Sequence, residues 1–452
     1  MKIVVFDDDP TGSQTVYGCP LLLRWDKSSL VQAINHPSPL LFLLANTRSM
    51  NPVLAEKRIG EICQSIKQVL IEQEILLENI CFVSRGDSTL RGHGTLEPEV
   101  INSLLGPFDA TLHVPAFLEG GRTTVNGVHF LHGKPVHTTE FARDKAFGYS
   151  TSDLDLWLQE KSRGKIVAQN VDRLNFASLD AAINSKTGLK NLIDFLLALS
   201  GNRPVVVDAQ HPSQLEVLGK VVRTLIGRKR FLFRSAASLI NGLSNLPGKT
   251  HNAEEFASLR LKESSGDLKP GLVMVGSHVR LADEQLELLL KQDCCEGIEF
   301  PAKQIASVFL GDLADTLLSD FETEVLYKLN LILASRKTPV IYTTRGEIYF
   351  SSIEARINFG NFLAEFMASV VKKVIIKLGY VISKGGVTTH TFLEKGLNLA
   401  SVELKGQLLP GLSVVCATDY SLAEGLPIVT FPGNLGFKDT LLSAWQLMEN
   451  DR

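Results

Sequence analysis

Short, mostly apolar runs alternate with amphipathic stretches along most of this chain. Residues 3–6, 40–44, 80–83, 111–114, 165–168, 205–207 and 231–233 have the length and composition of buried strands. Between them the apolar positions recur at a helical period. Asn51 caps a helix with Pro52 at its first position and Ile59, Ile62, Ile66, Val69 and Leu70 along one face. Thr95 precedes another, with Leu96, Val100, Ile101, Leu104 and Leu105 on one side. The pattern turns polar between 245 and 270, where Gly248, Ser264, Ser265, Gly266 and Pro270 stand among many charges. It resumes with strand-like runs at 272–275, 340–342, 414–416 and 428–431 and helical patterns over 281–290, 312–334 and 353 to about 377. A final helix is expected to start near Phe437. The sequence therefore predicts two α/β domains, residues 1–245 and 271–452, joined by a linker at 246–270, each with a largely parallel sheet flanked by helices.

At 452 residues the length suits two or three domains. A net charge of −3 supplies no basic field, which argues against nucleic acid or an anionic membrane as a main partner and leaves small molecules as the ligand class. No apolar stretch approaches the roughly 18 residues that span a bilayer, so a cytoplasmic protein is expected. The six cysteines, Cys19, Cys63, Cys81, Cys294, Cys295 and Cys416, lack the spacing of a zinc site and read as reduced core residues.

The candidate chemistry collects where strands end. Residues 84–94, Ser-Arg-Gly-Asp-Ser-Thr-Leu-Arg-Gly-His-Gly, follow the run 80–83 and gather a carboxylate, hydroxyls, two guanidiniums and an imidazole among three glycines. Ligands of open α/β sheets bind at strand carboxyl ends, where glycine admits close backbone approach and arginine grips carboxylate or phosphate oxygens in pairs. Residues 7–13, Asp-Asp-Asp-Pro-Thr-Gly-Ser, end the first strand, and three adjacent carboxylates require an arginine, a magnesium ion or a shared proton to offset their repulsion. Gly120-Gly121 could present Arg122 to an anion, or form a glycine hairpin with a surface arginine. Of the histidines near these loops, His93 is placed near the chemistry, whereas His113, His129 and His132 sit among apolar residues and read as structural. In the second half, Gly276-Ser277-His278, the stretch 383–389 (Ser-Lys-Gly-Gly-Val-Thr-Thr) and 432–436 (Pro-Gly-Asn-Leu-Gly) are glycine loops. Each alone is commonly a turn; three in one domain favour a nucleotide phosphate site, although no Walker motif is present.

These motifs, in this order, resemble the four-carbon acid sugar kinases over essentially the whole chain. Asp8-Asp9-Pro10-Thr11-Gly12 is similar to the family's Asp-Asp-x-Thr-Gly signature, and residues 85–92 resemble its Lys-x-Asp-Ser-Thr-x-Arg-Gly, with Arg85 in place of lysine. Residues 115–127 match its Pro-Ala-Phe-Pro-x-x-Gly-Arg-Thr-Thr-Val-Asn-Gly except that Leu118 replaces the second proline. The glycine loops look like its ATP-binding loops, with Val387 where an acid is often found. The resemblance implies a sugar-acid-binding N-terminal domain, an ATP-binding C-terminal domain, an active site in the interdomain cleft, and Mg2+ to neutralise phosphate charge.

Phosphoryl-transfer chemistry then distributes the roles. Asp87 is the expected general base with Asp8 the runner-up; Asp8 and Asp9 could instead orient substrate hydroxyls. Arg91 and Arg122 are expected to hold the substrate carboxylate, and Thr11, Ser88 and Thr89 its hydroxyls. Ser277, Lys384, Gly385, Gly386, Val387, Thr388, Gly433, Asn434 and Gly436 are expected at the nucleotide, and no residue is assigned to a metal. The expected partner is a sugar acid, with a homodimer as the assembly. The alternatives are a catalytically silent sugar-acid binder of the same fold and, ranked last because no GxGxxG follows the early strands, a dinucleotide-dependent oxidoreductase.

Overall fold

Burial on both faces explains why the apolar runs of the first half become strands. The computed structural model describes residues 1–9, 16–244, 246, 253–314, 316–346, 348–418 and 422–449. The chain divides into two compact units, Met1–Gly248 and Lys249–Arg452. The first holds β1 (Lys2–Asp7), β2 (Cys19–Leu22), β3 (Leu40–Leu44), β4 (Ile80–Arg85), β5 (Ala110–Val114), β6 (Arg122–Val125), β7 (Val128–Leu131), β8 (Lys134–Pro135), β9 (Asp172–Leu174), β10 (Arg203–Val207) and β11 (Phe231–Ser235). Eight of these form a parallel sheet in the order β2-β3-β1-β4-β11-β5-β10-β9, while β6, β7 and β8 make a small antiparallel sheet.

The helix Pro52–Glu72 starts where Asn51 Oδ1 accepts the Leu54 N–H at 3.0 Å. It buries Ile59, Ile62, Cys63, Ile66, Val69 and Leu70 in a core with Phe6, Leu41, Leu43 and Phe82. The helix Leu96–Leu105 packs there through Val100, Ile101 and Leu105. The strand expected at 165–168 does not form. Ile166 packs beside the cluster of Leu154, Trp157 and Leu158, the chain turns into a 3-10 helix at Ala168–Asn170, and the sheet edge is taken by β9 instead.

The second unit contains β12 (Gly271–Val275), β13 (Cys295–Phe300), β14 (Thr338–Thr343), β15 (Tyr380–Lys384), β16 (Ser401–Leu409), β17 (Leu412–Ala417) and β18 (Pro427–Phe431). β13-β14-β12-β15-β18 run parallel, and β17 and β16 continue antiparallel. Of these, β13, β15 and β16 are absent from the sequence prediction: Cys295–Phe300 alternates with two glutamates, and β15 ends on a buried lysine. The helices Arg280–Leu289, Thr316–Ala334, Ile353–Val374 and Thr440–Glu449 cover the sheet, the second and last starting several residues later than the pattern suggested. The stretch after 252 is built into this unit, with Phe256 in its core. Of the six cysteines, Cys294 is exposed and the other five are buried.

Phe82 lies at the centre of the first core, with its ring centroid 6.4 Å from that of Phe6 and 6.2 Å from that of Phe108. Phe82→Ala is expected to destabilise the first unit by about 3–5 kcal/mol in urea unfolding; a loss under about 1 kcal/mol would show that this cluster does not hold the unit together.

Candidate functional site

Parallel pairing sets the carboxyl ends of β3, β1, β4, β11 and β5 side by side, so five chain exits share one rim of the first unit. The β1 exit carries the adjacent acids, and arginines offset them. Arg48, from the turn Thr47–Ser49 after β3, donates from Nη2 to Asp8 Oδ1 at 2.7 Å and from Nε to Asp8 Oδ2 at 3.2 Å. Its Nη1 lies 3.5 Å from Asp9. Arg85, at the end of β4, stands 3.4 Å from both Asp7 and Asp8. Burial pushes the Asp7 carboxyl up to about 7, with Arg85 opposing and Asp8 and Asp9 adding to the rise. Arg48 is held well above its ordinary range because the charges of Asp8, Asp9 and Asp87 outweigh its burial. No sequence motif singled out Arg48; the signal was the need for a cation beside three acids. Thr11 lies outside the described residues.

The loop after β4 is fixed by its backbone. Gly86 passes over the Arg234 guanidinium so closely that a Cβ would sit 2.1 Å from Nη2, and that arginine is itself paired with buried Glu97 at 2.5 Å. Glu97 also accepts from Ser84 at 2.8 Å and Thr47 at 2.6 Å. The Ser88 carbonyl accepts from His129 Nε2 at 2.8 Å, while the Thr124 hydroxyl lies 2.9 Å from Nδ1. Burial pushes His129 down to about 4, so this imidazole is a neutral strut. The Thr89 carbonyl accepts from Tyr149 at 2.7 Å. Leu90 is buried at a φ of +65°, and Gly92, at +93°, brings the backbone back beside Asp8.

Within this frame Asp87 Oδ2 accepts from Arg91 Nε at 2.6 Å and from the Thr89 hydroxyl. Burial raises the Asp87 carboxyl, but the charges of Arg48 and Arg91 and these hydrogen bonds hold it below the usual carboxylate range. Thr89, called for a substrate hydroxyl, is therefore turned toward Asp87, and the Ser88 side chain is nearly buried. Arg91 lies over the Phe141 ring at 4.9 Å and 4.0 Å from Asp144. Arg122 starts β6, its guanidinium over Phe117 at 5.8 Å and its Nη1 on the Gly120 carbonyl. Burial lowers it, Asp87 opposes and Arg91 adds to the lowering, so all three groups act on one another electrostatically. The hairpin that carries Arg122 turns at Asn126 and Gly127, both at positive φ, the Asn-Gly signature of a two-residue hairpin. That dipeptide was legible and was missed. His93 donates to the Met50 carbonyl at 3.0 Å and abuts Phe147, which makes it part of the scaffold.

In the second unit the three predicted glycine loops meet. Tyr342, Val275, Lys384 and Phe431 form one register row across β14, β12, β15 and β18. Beyond that row, a Cβ on Gly276 would fall 2.0 Å from Thr388 Oγ1, and one on Gly433 would fall 2.5 Å from Ser277 Oγ. Gly385 has a φ of +123° and stands against Thr388 and Ser277. Gly386 borders open space, Val387 is half exposed, and Asn434 and Gly436 are exposed in a loop that Gln285 clamps through the Leu435 and Phe437 carbonyls at 3.1 and 2.6 Å. Lys384 is fully buried; Nζ donates to the Pro432 carbonyl at 3.1 Å and lies 3.8 Å from the Phe431 ring centroid. Burial, and then the nearby Arg345 charge, push it down to about 7.

Residues 3–243 match a family described as the sugar-binding N-terminal domain, and residues 272–441 one described as the nucleotide-binding C-terminal domain. A D-erythronate kinase of Heliobacterium modesticaldum (strain ATCC 51547 / Ice1) is 24% identical over 299 residues, which is 63% of this chain and 60% of that protein. The chain thus aligns with less than two thirds of that relative's length. Among solved structures, a Salmonella typhimurium LT2 protein superposes with a TM-score of 0.67 at 17% identity, covering 98% of each chain. A Haemophilus influenzae protein of the DUF1537 family gives 0.64 at 18%, covering 98% of this chain and 100% of the other. These two likenesses concern the fold. No helix among the described residues is long and apolar enough to cross a membrane.

The Asp7 carboxyl, raised toward 7, retains in the folded chain a proton that the unfolded chain releases near pH 4. Its stabilising contribution is therefore present below about pH 4 and lost as pH rises through 7. The stability difference between wild type and Asp7→Asn, read from urea midpoints, should shift in favour of the variant across that window; a difference independent of pH would mean that Asp7 is ionised throughout.

Proposed function

The chain belongs to the four-carbon acid sugar kinase family, and from that premise we propose that it transfers the γ-phosphoryl group of ATP to a hydroxyl of a four-carbon sugar acid of the tetronate or oxo-tetronate type. The observation that carries this reading is the group Asp87, Arg91 and Arg122, one ionised carboxylate beside two arginines on the rim of the first unit. Arg91 engages Asp87 through Nε, which leaves its terminal nitrogens to take a substrate carboxylate as a planar fork. Arg122, whose Nε is buried without a hydrogen-bond partner among the described residues, supplies the second cation.

Asp87 remains ionised at neutral pH and takes the proton of the attacking hydroxyl. A strong base is not needed, because the hydroxyl becomes acidic only as its oxygen bonds to phosphorus in a loose transition state. Asp8 and Asp9, braced by Arg48, orient substrate hydroxyls. In the second unit Ser277, Lys384, Thr388 and the backbone at Gly385, Gly386 and Val387 receive the nucleotide phosphates, with Gly433, Asn434 and Gly436 bordering them. Mg2+ would neutralise phosphate charge in this chemistry and is commonly held by substrate phosphates and water with one or two carboxylates. That arrangement needs no cluster of three protein ligands, and the described residues contain none.

The name of the Heliobacterium relative puts D-erythronate first in the substrate panel. Purified protein with Mg·ATP is expected to release ADP with at least one four-carbon sugar acid. Asp87→Asn should reduce that rate by roughly 10²–10⁴-fold, the usual contribution of a positioned base. A sugar acid that raises the melting temperature without any turnover would support the silent binder instead. Absence of both turnover and ATP-dependent stabilisation would refute the kinase reading.

A further inference from the structure

Arg345 was not singled out from the sequence, and nothing described so far requires it. It lies two residues past β14, next to the row of strand ends that gathers the glycine loops. Its Nη1 donates to the Ser277 carbonyl, so the guanidinium reaches across to the loop after β12. Its Nη2 is buried with no hydrogen-bond partner among the described residues. Asp283, on the helix Arg280–Leu289, stands 3.2 Å from Nε without the geometry of a hydrogen bond, and its side chain is about one third exposed. Lys384 is fully buried and in no ion pair among the described residues; Arg345 lowers both Lys384 and His278 by its charge, although burial is the larger cause for each.

Arg345 and Lys384 thus bear on one small region whose balancing carboxylates, Asp283 beside the guanidinium and the exposed Glu299, are both in contact with solvent. A buried charge without a partner is costly, and a second cation beside it adds repulsion. The arrangement costs stability in the free protein and becomes favourable when an anion enters between the cations. A planar guanidinium beside a point-charge ammonium, over glycine loops that let the backbone approach, suits a polyphosphate rather than a single carboxylate. Resting on the reading of this unit as the nucleotide site, we propose that Arg345 binds a phosphate of the nucleotide together with Lys384, and that Asp283 holds the guanidinium in place when no phosphate is bound.

The full-length chain with Mg·ATP, Mg·ADP and inorganic tripolyphosphate, followed by calorimetry and thermal unfolding, tests this. Arg345→Met is expected to weaken Mg·ATP at least tenfold and tripolyphosphate similarly, with Arg345→Lys recovering part of the loss. Because the substitution removes one of two mutually repelling charges, the free variant should melt at or above the wild-type temperature; an arginine that only braced the Ser277 loop would lower it. Asp283→Asn, which removes the carboxylate that competes with phosphate for the guanidinium, should improve Mg·ATP affinity; weakened affinity would overturn that role of Asp283. Wild type that binds Mg·ATP while Arg345→Met binds it equally well would overturn the role of Arg345 and leave the nucleotide site standing. Wild type that binds tripolyphosphate but neither nucleotide would keep the anion site and remove the nucleotide reading. Wild type that binds none of the three would remove both.

Discussion

Asp8 can be buried at the end of β1 because Arg48 meets it with two guanidinium donors. The arginine arrives from the turn after β3, on one side of β1, and Arg85 arrives from β4 on the other. Three neighbouring strands are therefore tied at their carboxyl ends by charge as well as by backbone ladders. A buried carboxylate stripped of its partner costs about 3–5 kcal/mol, so the order β3-β1-β4 and the presence of acids at the rim are one constraint. The loop after β4 rests on this arrangement, since Gly92 returns so near that a Cβ there would lie 3.2 Å from Asp8 Oδ2.

The two units solve opposite electrostatic problems. In the first, the buried acids Asp7, Asp8 and Glu97 each stand beside an arginine, down to the Glu97–Arg234 pair beneath the loop. In the second, buried Lys384 and half-buried Arg345 have, among the described residues, only solvent-exposed carboxylates near the arginine to balance them, and burial and then the arginine's charge push the lysine down to about 7. The first arrangement fixes the shape of the rim. The second leaves cationic groups buried at some cost to the stability of the unit.

The sequence was most informative where residue type and position coincide in one physical requirement. Asn51 with Pro52 identified a helix start because a cap and a donor-free first residue are both needed there. The loops at 84–94 and 383–389 were identified because glycines, hydroxyls and cations follow a strand. What escaped detection depended on distant packing. β15 ends in Ser-Lys, and nothing local says that this lysine is covered by Phe431 and Pro432. Residues 165–168 look like a strand, but only the sheet order decides that β9 takes the edge. Arg48 and Arg345 each follow a strand within turns of ordinary composition, and their partners lie 40 and 68 residues away in the chain.

The loop from Gly86 to Gly92 owes its shape to groups that grip its main chain: His129 on the Ser88 carbonyl, Tyr149 on the Thr89 carbonyl, and Arg234 beneath Gly86. Carbonyl oxygens are the same whatever side chain they belong to. Side-chain replacements at Ser88 or Thr89 therefore leave available the main-chain contacts that curve the loop. The loop is thus a surface whose side-chain chemistry can be exchanged while the frame that curves it stays fixed.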